Sequence, residues 1–327
     1  MENIVNDLSK KFAVEVMSDE TPDHTPYYIP FNHKGLQAIT GGVPGGCVTE
    51  VIAKSAAGKS YLLYELGMGT LNMGGVFKLD DIERAYRTVY GKRVGLDGDK
   101  KFTLGYEKEM ERIFLANREF VKRVRDVNTE CPILIGIDSY PPIQTLVSKK
   151  EIEEQLKKGT AKELKGYRDA KKNALFAALI GEWVTFADEH KVTTVLLNQT
   201  RYAMNVMFGD NQTSNADNIL QYYVSLRLRG KIVGKIKSKT NDGKIIGVRT
   251  EWETIKNRNV YPYKKATTSI LFKSGISKYS GLRELLISEG IGGNVPRKPK
   301  CIKYGNKVYP INKLVIKKPE VLDLRDT

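Results

Sequence analysis

Short apolar segments alternate with longer segments of helical periodicity from about residue 35 onward. An uninterrupted apolar segment is typical of a strand buried on both faces, and strands separated by helices predict a mostly parallel sheet. The predicted strands are 47–53 (CVTEVIA), 74–80 (GGVFKLD), 131–139 (CPILIGIDS) and 192–199 (VTTVLLNQ). The predicted helices are 60–73 and 170–190. The pattern therefore indicates an α/β fold.

Three later segments alternate with turns such as NDGK (241–244). These segments are 222–230 (YYVSLRLRG), 244–257 (KIIGVRTEWETIKN) and 266–273 (ATTSILFK). Apolar segments separated by short turns predict antiparallel strands, which would extend the central sheet.

The pattern divides the chain into three regions. Residues 1–34 are interrupted by prolines and predict an N-terminal arm, which either packs on a neighbouring subunit or is a frayed terminus. Residues 35–274 form the predicted α/β core. Residues 275–327 predict a small module with one helix and a hairpin around Gly305 and Asn306. This module is basic with interleaved tyrosines, which fits either a nucleic-acid contact or a solvated positive face.

Composition adds an expected partner. The 327 residues carry a formal net charge of +15, which favours a polyanion such as nucleic acid. Three widely spaced cysteines predict neither a zinc site nor a disulfide framework, and they fit a reducing compartment. The N-terminus has no apolar signal core, and no segment reaches about 18 apolar residues. We expect an intracellular protein without a membrane partner.

The segment AKSAAGKS (53–60) lies between a predicted strand and a predicted helix. It matches the phosphate-binding pattern G-x-x-x-x-G-K-[ST] except that Ala53 replaces the first glycine. In that context loop N–H groups cradle a polyphosphate, Lys59 neutralises its charge and Ser60 holds Mg²⁺. The alternative is a chance match at a strand–helix junction. The candidate nucleotide-binding residues here are Ser55, Ala56, Ala57, Gly58, Lys59, Ser60 and Tyr61.

Three polar residues follow other predicted strands. Asp138 ends an apolar strand, where a carboxylate would support Mg²⁺ or merely cap a turn. Glu83 follows the strand at 74–80 and could polarise a water that attacks a phosphate. Gln199 ends the strand at 192–199, and its amide could sense a terminal phosphate. The long segment after it, 200–218, is a candidate functional loop.

These residues carry a resemblance to the RecA-type recombinases. Residues 198–228 resemble the family's stretch from the phosphate-sensing glutamine through the second DNA-binding loop, and 81–97 resemble the segment with its catalytic glutamate. Residues 255–266 (IKNRNVYPYKKA) resemble the family's segment that reaches across the subunit interface. The likeness runs from about residue 35 to 290, and its finer details look closest to bacteriophage strand-exchange recombinases.

The resemblance implies a RecA-like P-loop NTPase core that uses ATP and Mg²⁺ and forms a filament on single-stranded DNA. Glu83, Lys59 and Gln199 would act in catalysis, with Lys256 and Arg258 donated by the neighbouring subunit. Tyr90 would stack on adenine, and Ser60 with Asp138 would hold the metal. DNA would be contacted by Arg201, Met207, Phe208, Gly209 and Asn218, within loops near 150–167 and 200–218.

The implied activity is homologous pairing and strand exchange with DNA-stimulated ATP hydrolysis. The implied partners are single- and double-stranded DNA, further copies of the chain, and single-strand-binding or mediator proteins. The expected location is the cytoplasm, or the host cytoplasm for a bacteriophage protein. Two alternatives remain at this point: a hexameric RecA-fold DNA helicase, and an ATP-binding DNA-coating protein that does not hydrolyse ATP.

The sequence departs from the family pattern at three places. Ala53 replaces the first glycine of the phosphate-binding loop, which leaves nucleotide affinity open. Ala216 and Asp217 replace paired glycines in the second DNA loop, and Arg87 replaces an acidic residue that contacts adenine. These departures bear on loop flexibility and on base recognition.

Overall fold

The apolar segments form strands that lie side by side in one ten-stranded sheet. The computed structural model describes residues 25–157, 165–202, 212–238, 243–296 and 298–324. The strands are β1 Tyr28–Ile29, β2 Val43–Pro44, β3 Val48–Ala53, β4 Val76–Asp81, β5 Phe102–Gly105, β6 Ile133–Asp138, β7 Val192–Tyr202, β8 Gln212–Ser214, β9 Leu226–Lys237, β10 Ile245–Asn257, β11 Lys265–Leu271, β12 Gly275–Ile276, β13 Gly293–Asn294, β14 Cys301–Tyr304 and β15 Lys307–Pro310. The helices are α1 Lys34–Thr40, α2 Lys59–Asn72, α3 Thr88–Val94, α4 Met110–Val127, α5 Leu146–Lys157, α6 Lys165–Glu189, α7 Asp217–Tyr223, α8 Leu282–Ser288 and α9 Ile311–Lys317, followed by a 3₁₀ turn at Pro319–Leu322.

The order of the strands across the sheet is β5-β4-β6-β7-β3-β9-β10-β11-β12, with β8 paired to the outer part of β7. From β5 to β9 all neighbours run parallel. Beyond β9 the strands β10, β11 and β12 pair antiparallel. The predicted fold class, a mostly parallel sheet extended by antiparallel strands, is confirmed.

Helices cover both faces of the parallel part, which explains why its strands are apolar at successive positions. Along β6, Leu134 packs into the cluster that contains Leu62, Leu63 and other residues of α2. Its neighbours Ile133 and Ile135 point to the opposite face, among residues of α4 and α6. All six residues of β6 are buried, as are all six of β3.

Helix α4 and strand β5 have no counterpart among the predicted elements. The buried residues of α4 nevertheless recur at helical spacing, at Met110, Ile113, Asn117 and Val121. Among the helices that the structure describes, none combines the length and the apolar character that a membrane crossing requires.

The chain before α1 packs on its own core within the described residues. The hydroxyl of Tyr27 donates to the carbonyl of Lys191 over 2.8 Å and accepts from the backbone N–H of Ile133 over 3.1 Å. Strand β1 pairs antiparallel with β2. Residues 1–24 lie outside the described part, so a contact of the arm with another subunit stays a prediction.

The C-terminal stretch contains the predicted hairpin, with β14 and β15 joined at Gly305 and Asn306. Ile302, Leu314 and Leu324 belong to the same hydrophobic cluster as core residues of α1 and β11. Packing is thus continuous across residue 275. The division of the chain at that residue stays a prediction.

A buried lysine holds the C-terminal end to the core. The Nζ of Lys264 donates to the carbonyl of Leu324 over 2.8 Å and to Oε2 of Glu289 over 3.2 Å. We expect Lys264→Met to lower the free energy of unfolding by about 2 kcal/mol, because two charge-assisted hydrogen bonds are lost, one of them to the partly buried carboxylate of Glu289. Urea denaturation measures this difference.

The adjacent lysine is the matched control for that substitution. Lys265 is the first residue of β11, and its side chain is 53% exposed. Its Nζ lies 3.9 Å from carboxylate oxygens of Glu251 and Glu253. Lys265→Met is expected to change the free energy of unfolding by less than about 0.5 kcal/mol. Equal effects of the two substitutions would contradict an anchoring role for Lys264.

Candidate functional site

The carboxyl ends of four neighbouring strands bring the candidate residues to one edge of the sheet. Ala53 at the end of β3 lies opposite Gln199 on β7. Asp138 at the end of β6 lies opposite Asp81 on β4. In open parallel sheets ligands bind outside this edge, in the crevice between the strand ends and the helices that follow.

The turn after β3 requires glycine at its last position. Gly58 has a φ of 97°, in the left-handed region, and directly precedes α2. A Cβ at this residue would lie 2.1 Å from Cδ1 of Ile270 on β11. A side chain at position 58 would therefore strain the backbone and push the turn away from the antiparallel part of the sheet. Ala56 also has a positive φ, of 61°.

Ala53 is the last residue of β3 and is fully buried. It is paired in register with both Gln199 and Gly230, and it is not among the described residues with positive φ. An L-residue adopts this extended backbone without strain. The absence of the usual first glycine therefore does not distort the turn.

This placement makes a prediction for Ala53→Gly. We expect the dissociation constant of an ATP analogue to change by less than about threefold, because extended φ and ψ values suit alanine at least as well as glycine. Titration of a fluorescent ATP analogue measures this, with Gly58→Ala as the disruptive comparison. A tenfold gain in affinity for Ala53→Gly would show that position 53 constrains the turn.

Lys59, Ser60 and Asp138 form the polar centre of the site. The Nζ of Lys59 donates to the carbonyls of Ala53 (2.9 Å) and Lys54 (3.1 Å). The Oγ of Ser60 donates to Oδ2 of Asp138 over 2.6 Å. Burial lowers the pKa of Lys59, and the carboxylates of Asp138 and Glu83 partly oppose that shift. Burial also raises the pKa of Asp138 to about 6, with Glu83 adding to the rise.

Glu83 lies on a short segment that Asp81 holds in place. Both carboxylate oxygens of Asp81 accept backbone N–H groups, from Ala85 and from Tyr86, each over 2.9 Å. The Glu83 side chain is exposed and its Oε1 accepts the hydroxyl of Ser139, the residue after Asp138. Glu83 is thus fixed beside the carboxylate of Asp138 and faces the same cavity.

A cavity of about 320 Å³ lies over this centre and has an aromatic end. The rings of Tyr61 and Tyr90 meet edge to face with centroids 5.8 Å apart, and Tyr64 meets Tyr86 at 5.6 Å. The guanidinium of Arg93 lies over the ring of Tyr90 and donates to the carbonyl of Phe272. A cavity of this size with one charged end and one aromatic end fits a nucleotide.

Ten residues predicted from the sequence line this cavity. They are Ser55, Ala56, Gly58, Lys59, Ser60, Tyr61, Glu83, Tyr90, Asp138 and Gln199. Ala57 does not line it: it is buried beneath the turn, and its carbonyl accepts the hydroxyl of Thr250 over 2.9 Å. Arg87 is also outside the cavity lining, and its guanidinium donates to the carbonyls of Arg84 and Tyr86.

Six lining residues were not among the candidates: Tyr64, Ala85, Ser139, Val248, Ile270 and Phe272. Tyr64 lies three residues after Tyr61 on α2, so helical spacing could have found it. Val248, Ile270 and Phe272 come from β10, β11 and the turn after β11, and only the folding of the antiparallel extension over the turn brings them to the site.

The donor set fits a magnesium ion that is bound together with phosphate groups. The described residues contain no cluster of three or more histidine, cysteine, aspartate or glutamate side chains placed to hold a metal. One hydroxyl and one carboxylate, Ser60 and Asp138, are within hydrogen-bonding distance instead. Mg²⁺ takes few ligands from the protein in nucleotide sites and completes its shell with phosphate oxygens and water.

The raised pKa of Asp138 predicts a pH-dependent stability. Its folded-state value of about 6 lies above the ordinary 3.8, so ionisation above pH 6 opposes folding, and the penalty vanishes below about pH 4. Without nucleotide and Mg²⁺, Asp138→Asn should raise the free energy of unfolding by about 3 kcal/mol at pH 7.5 and by little at pH 4. Urea denaturation at both pH values measures this, with Asp126→Asn on α4 as an exposed control. An equal gain at both pH values would contradict the prediction.

The predicted DNA-binding residues are only partly described. Arg201 is exposed on β7, opposite Thr213 of β8, and Asn218 is exposed on α7. Met207, Phe208 and Gly209 lie outside the described residues, as do 158–164 and 203–211. The DNA contacts themselves stay predictions.

Some described residues of the two predicted loops belong to helices or strands. Residues 150–157 belong to α5, whose first turn is capped by the Oγ1 of Thr145 accepting the N–H of Ser148 over 3.0 Å. In the second loop, residues 200–202 continue β7 and pair with β8, and 217 begins α7. Ala216 has a φ of 54°, a conformation that favours glycine, while the carboxylate of Asp217 pairs with Arg227.

Lys256 and Arg258 do not line the cavity of their own chain. The Nζ of Lys256 donates to the carbonyl of Gln221 on α7 over 2.7 Å. Burial lowers the pKa of Lys256, and Arg258 adds to that shift. Arg258 is exposed just beyond the end of β10. Lys256 is half-buried beside α7, and both cations lie outside the cavity lining that contains Lys59.

Strand β3, the turn that matches the phosphate-loop pattern and helix α2, in a sheet of this topology, define the fold as a RecA-like P-loop core. The family model of the RecA N-terminal domain matches residues 33–277. The chain belongs to the RecA family.

Two bacterial relatives show how far the sequence of this chain has diverged from other members of the family. Protein RecA of Rickettsia prowazekii (strain Madrid E) is 28% identical over 245 residues, which cover 75% of this chain and 66% of the relative. Protein RecA of Streptomyces coelicolor is 26% identical over 282 residues, 86% of this chain and 70% of the relative. The chain thus spans about two thirds of the length of its relatives. A closer likeness to bacteriophage recombinases stays a prediction.

Proposed function

We propose that this protein is an ATP-dependent DNA recombinase that forms a filament on single-stranded DNA and exchanges homologous strands. The observation that carries the proposal is the grouping of Lys59, Asp138, Glu83 and Gln199 around one cavity, with Gln199 on the strand that leads directly to Arg201. The cavity and a candidate DNA-binding segment therefore share strand β7. The bacterial relatives are themselves named RecA, which is consistent with this function.

The chemistry divides among the residues of the cavity. Lys59 would exchange its two carbonyl partners for phosphate oxygens of ATP and neutralise charge on them. Ser60 and Asp138 would hold Mg²⁺, which would neutralise phosphate charge when bound. Glu83, held by Ser139, would accept a proton from the attacking water. The aromatic end, with Tyr61 and Tyr90, would receive the base.

The second half of the site would come from a neighbouring copy. Lys256 and Arg258 carry two positive charges on a surface away from their own cavity, where cations given to a neighbour would stabilise charge on the γ-phosphate. Hydrolysis would then depend on assembly. Head-to-tail contacts of this kind generate open helices when the rotation between copies does not close a ring.

DNA binding would be driven mainly by phosphate charge. The net charge of +15 and the exposed Arg201 favour sequence-neutral contacts with the backbone. Gln199 would report the γ-phosphate to the segment that follows it, and hydrolysis would lower DNA affinity. We propose the cytoplasm as the site of action, with double-stranded DNA and single-strand-binding or mediator proteins as further partners.

The decisive experiment is strand exchange between a single-stranded circle and a homologous duplex, with ATP and without it. We expect joint molecules only with ATP, together with phosphate release that DNA stimulates. Electron microscopy with DNA and an ATP analogue should show helical filaments. Closed rings with strand displacement would support a helicase, and phosphate release no higher than that of Lys59→Ala would support a non-hydrolysing DNA-coating protein.

A further inference from the structure

A network of buried polar side chains lies beneath the junction of β3, β7, β8 and α7. Its centre is Glu50, which lies on β3 three residues before Ala53 and is 0% exposed. A carboxylate at such a position requires partners for both oxygens, because an unpaired buried charge is strongly unfavourable.

Glu50 has three side-chain partners from three different elements. Its Oε1 accepts from Nδ2 of Asn198 on β7 over 2.8 Å and from Oγ of Ser214 on β8 over 2.9 Å. Its Oε2 accepts from Nε of Arg227 on β9 over 2.7 Å. Both oxygens of the carboxylate are therefore engaged.

Asn198 connects Glu50 to the edge of the cavity. Its Oδ1 accepts the backbone N–H of Gln199 over 2.9 Å and the side-chain amide of Asn215 over 3.2 Å. Its Nδ2 also donates to the carbonyl of Asn215 over 2.8 Å. One amide group thus contacts the cavity residue Gln199, the network centre Glu50 and Asn215, which follows β8.

Arg227 extends the network to α7. Its second contact is an ion pair with Asp217, the first residue of that helix. Near the other end of this helix, the carbonyl of Gln221 accepts a hydrogen bond from Nζ of Lys256. Glu50 is thereby linked to both ends of α7, through Arg227 at its start and through the pairing of β9 with β10 near its end.

We propose that Glu50 is a positioning residue that couples the cavity to residues 214–217 and so makes DNA affinity depend on nucleotide. The inference rests on the proposed function. The physical reason is that both Glu50 oxygens and the Asn198 amide are engaged. A shift of the Gln199 backbone therefore either moves Ser214 and Asn215 with it or leaves a buried polar group without a partner.

A conservative substitution tests the link on the β8 side. Ser214→Ala removes one hydrogen bond to Glu50 and leaves the Glu50–Arg227 pair intact. Thr213→Ala is the matched control, because within the described part of the chain the Thr213 hydroxyl has no hydrogen-bond partner. The readout is the dissociation constant of a labelled single-stranded oligonucleotide by fluorescence anisotropy, measured with an ATP analogue and without nucleotide.

The ratio of those two constants reports the coupling. We expect the wild type and Thr213→Ala to share one ratio and Ser214→Ala to reduce it at least fivefold, within the usual range of coupling between sites. The affinity for the ATP analogue alone should be unchanged in all three. A merely structural role for Ser214 would alter the melting temperature and leave the ratio unaltered.

Glu50→Gln tests the centre of the network. The glutamine has one acceptor oxygen for these three donors, so its NH₂ group meets either Arg227 or the amide of Asn198. The ratio should therefore fall further than in Ser214→Ala. Glu289→Gln is the control, since it likewise neutralises a carboxylate that pairs with a buried cation, Lys264. If Glu50→Gln does not fold, the result for Ser214→Ala alone tests the coupling role of Glu50.

The outcomes separate the inference from the proposed function. A wild-type ratio near one, or no DNA binding, overturns both. A large wild-type ratio that Ser214→Ala preserves overturns only the coupling role of Glu50. A reduced ratio in Ser214→Ala, with the Thr213→Ala and Glu289→Gln ratios preserved, supports it.

Discussion

Replacing Lys59 by alanine is expected to lower DNA-stimulated ATP hydrolysis by about 10²–10³-fold, the usual loss when one donor to a developing charge is removed. Lys59 is buried in the cavity, and its Nζ is held by the carbonyls of Ala53 and Lys54. Phosphate oxygens would take those carbonyls' place. A neutral side chain at position 59 would leave the phosphate charge without this compensation.

Lys54→Ala is the matched control for this experiment. Lys54 lies in the same turn, is exposed and is not among the residues that line the cavity. We expect Lys54→Ala to retain at least about a third of the wild-type rate, as is typical of exposed surface substitutions. Steady-state phosphate release with saturating DNA measures both variants, and circular dichroism confirms that both are folded. A rate for Lys59→Ala within threefold of the wild type would contradict the proposed site.

Replacing Lys256 by alanine is expected to lower hydrolysis by about 10³-fold while the ATP analogue still binds, because a cation supplied in trans acts mainly in the transition state. The position of Lys256 on α7's flank, away from its own cavity, is the structural reason to expect a separate contribution. Lys265→Ala, an exposed lysine on β11, should retain the wild-type rate.

Mixing two inactive variants tests the contribution across the interface directly. A Lys256→Ala subunit keeps an intact cavity, and a Lys59→Ala subunit keeps its Lys256. In an equal mixture that assembles at random head to tail, about a quarter of the contacts combine both intact halves and should regain hydrolysis. A mixture no more active than its components would show that the site is complete within one chain or that Lys256 has no catalytic part.

Most of the cavity could be predicted from the sequence because its residues follow strand ends. Lys59, Asp138, Glu83 and Gln199 each end or follow an apolar segment, and parallel strands place their carboxyl ends at one edge whatever their order in the sheet. The sequence shows that Ala53 replaces the usual glycine. Only the structure shows that alanine fits there without strain, because the backbone at this position is extended.

The remaining residues depend on contacts between distant parts of the chain. Ile270 and Phe272 reach the cavity only because the antiparallel strands fold back over the turn at Gly58. The network around Glu50 joins residues up to 177 positions apart. No local pattern marks Glu50, since a single charged residue within an apolar strand is equally consistent with an exposed side chain.

The sequence by itself determined the alternation of strands and helices, the strand–turn–helix with the phosphate-loop pattern and the strand-end polar residues. These features are local, because burial pattern and turn chemistry are set within a few residues. Only the tertiary structure decided the strand order, the second wall of the cavity, the placement of Lys256 beside α7 and the Glu50 network. Those features arise from packing and hydrogen bonding between distant segments, which the free energy of the whole fold selects.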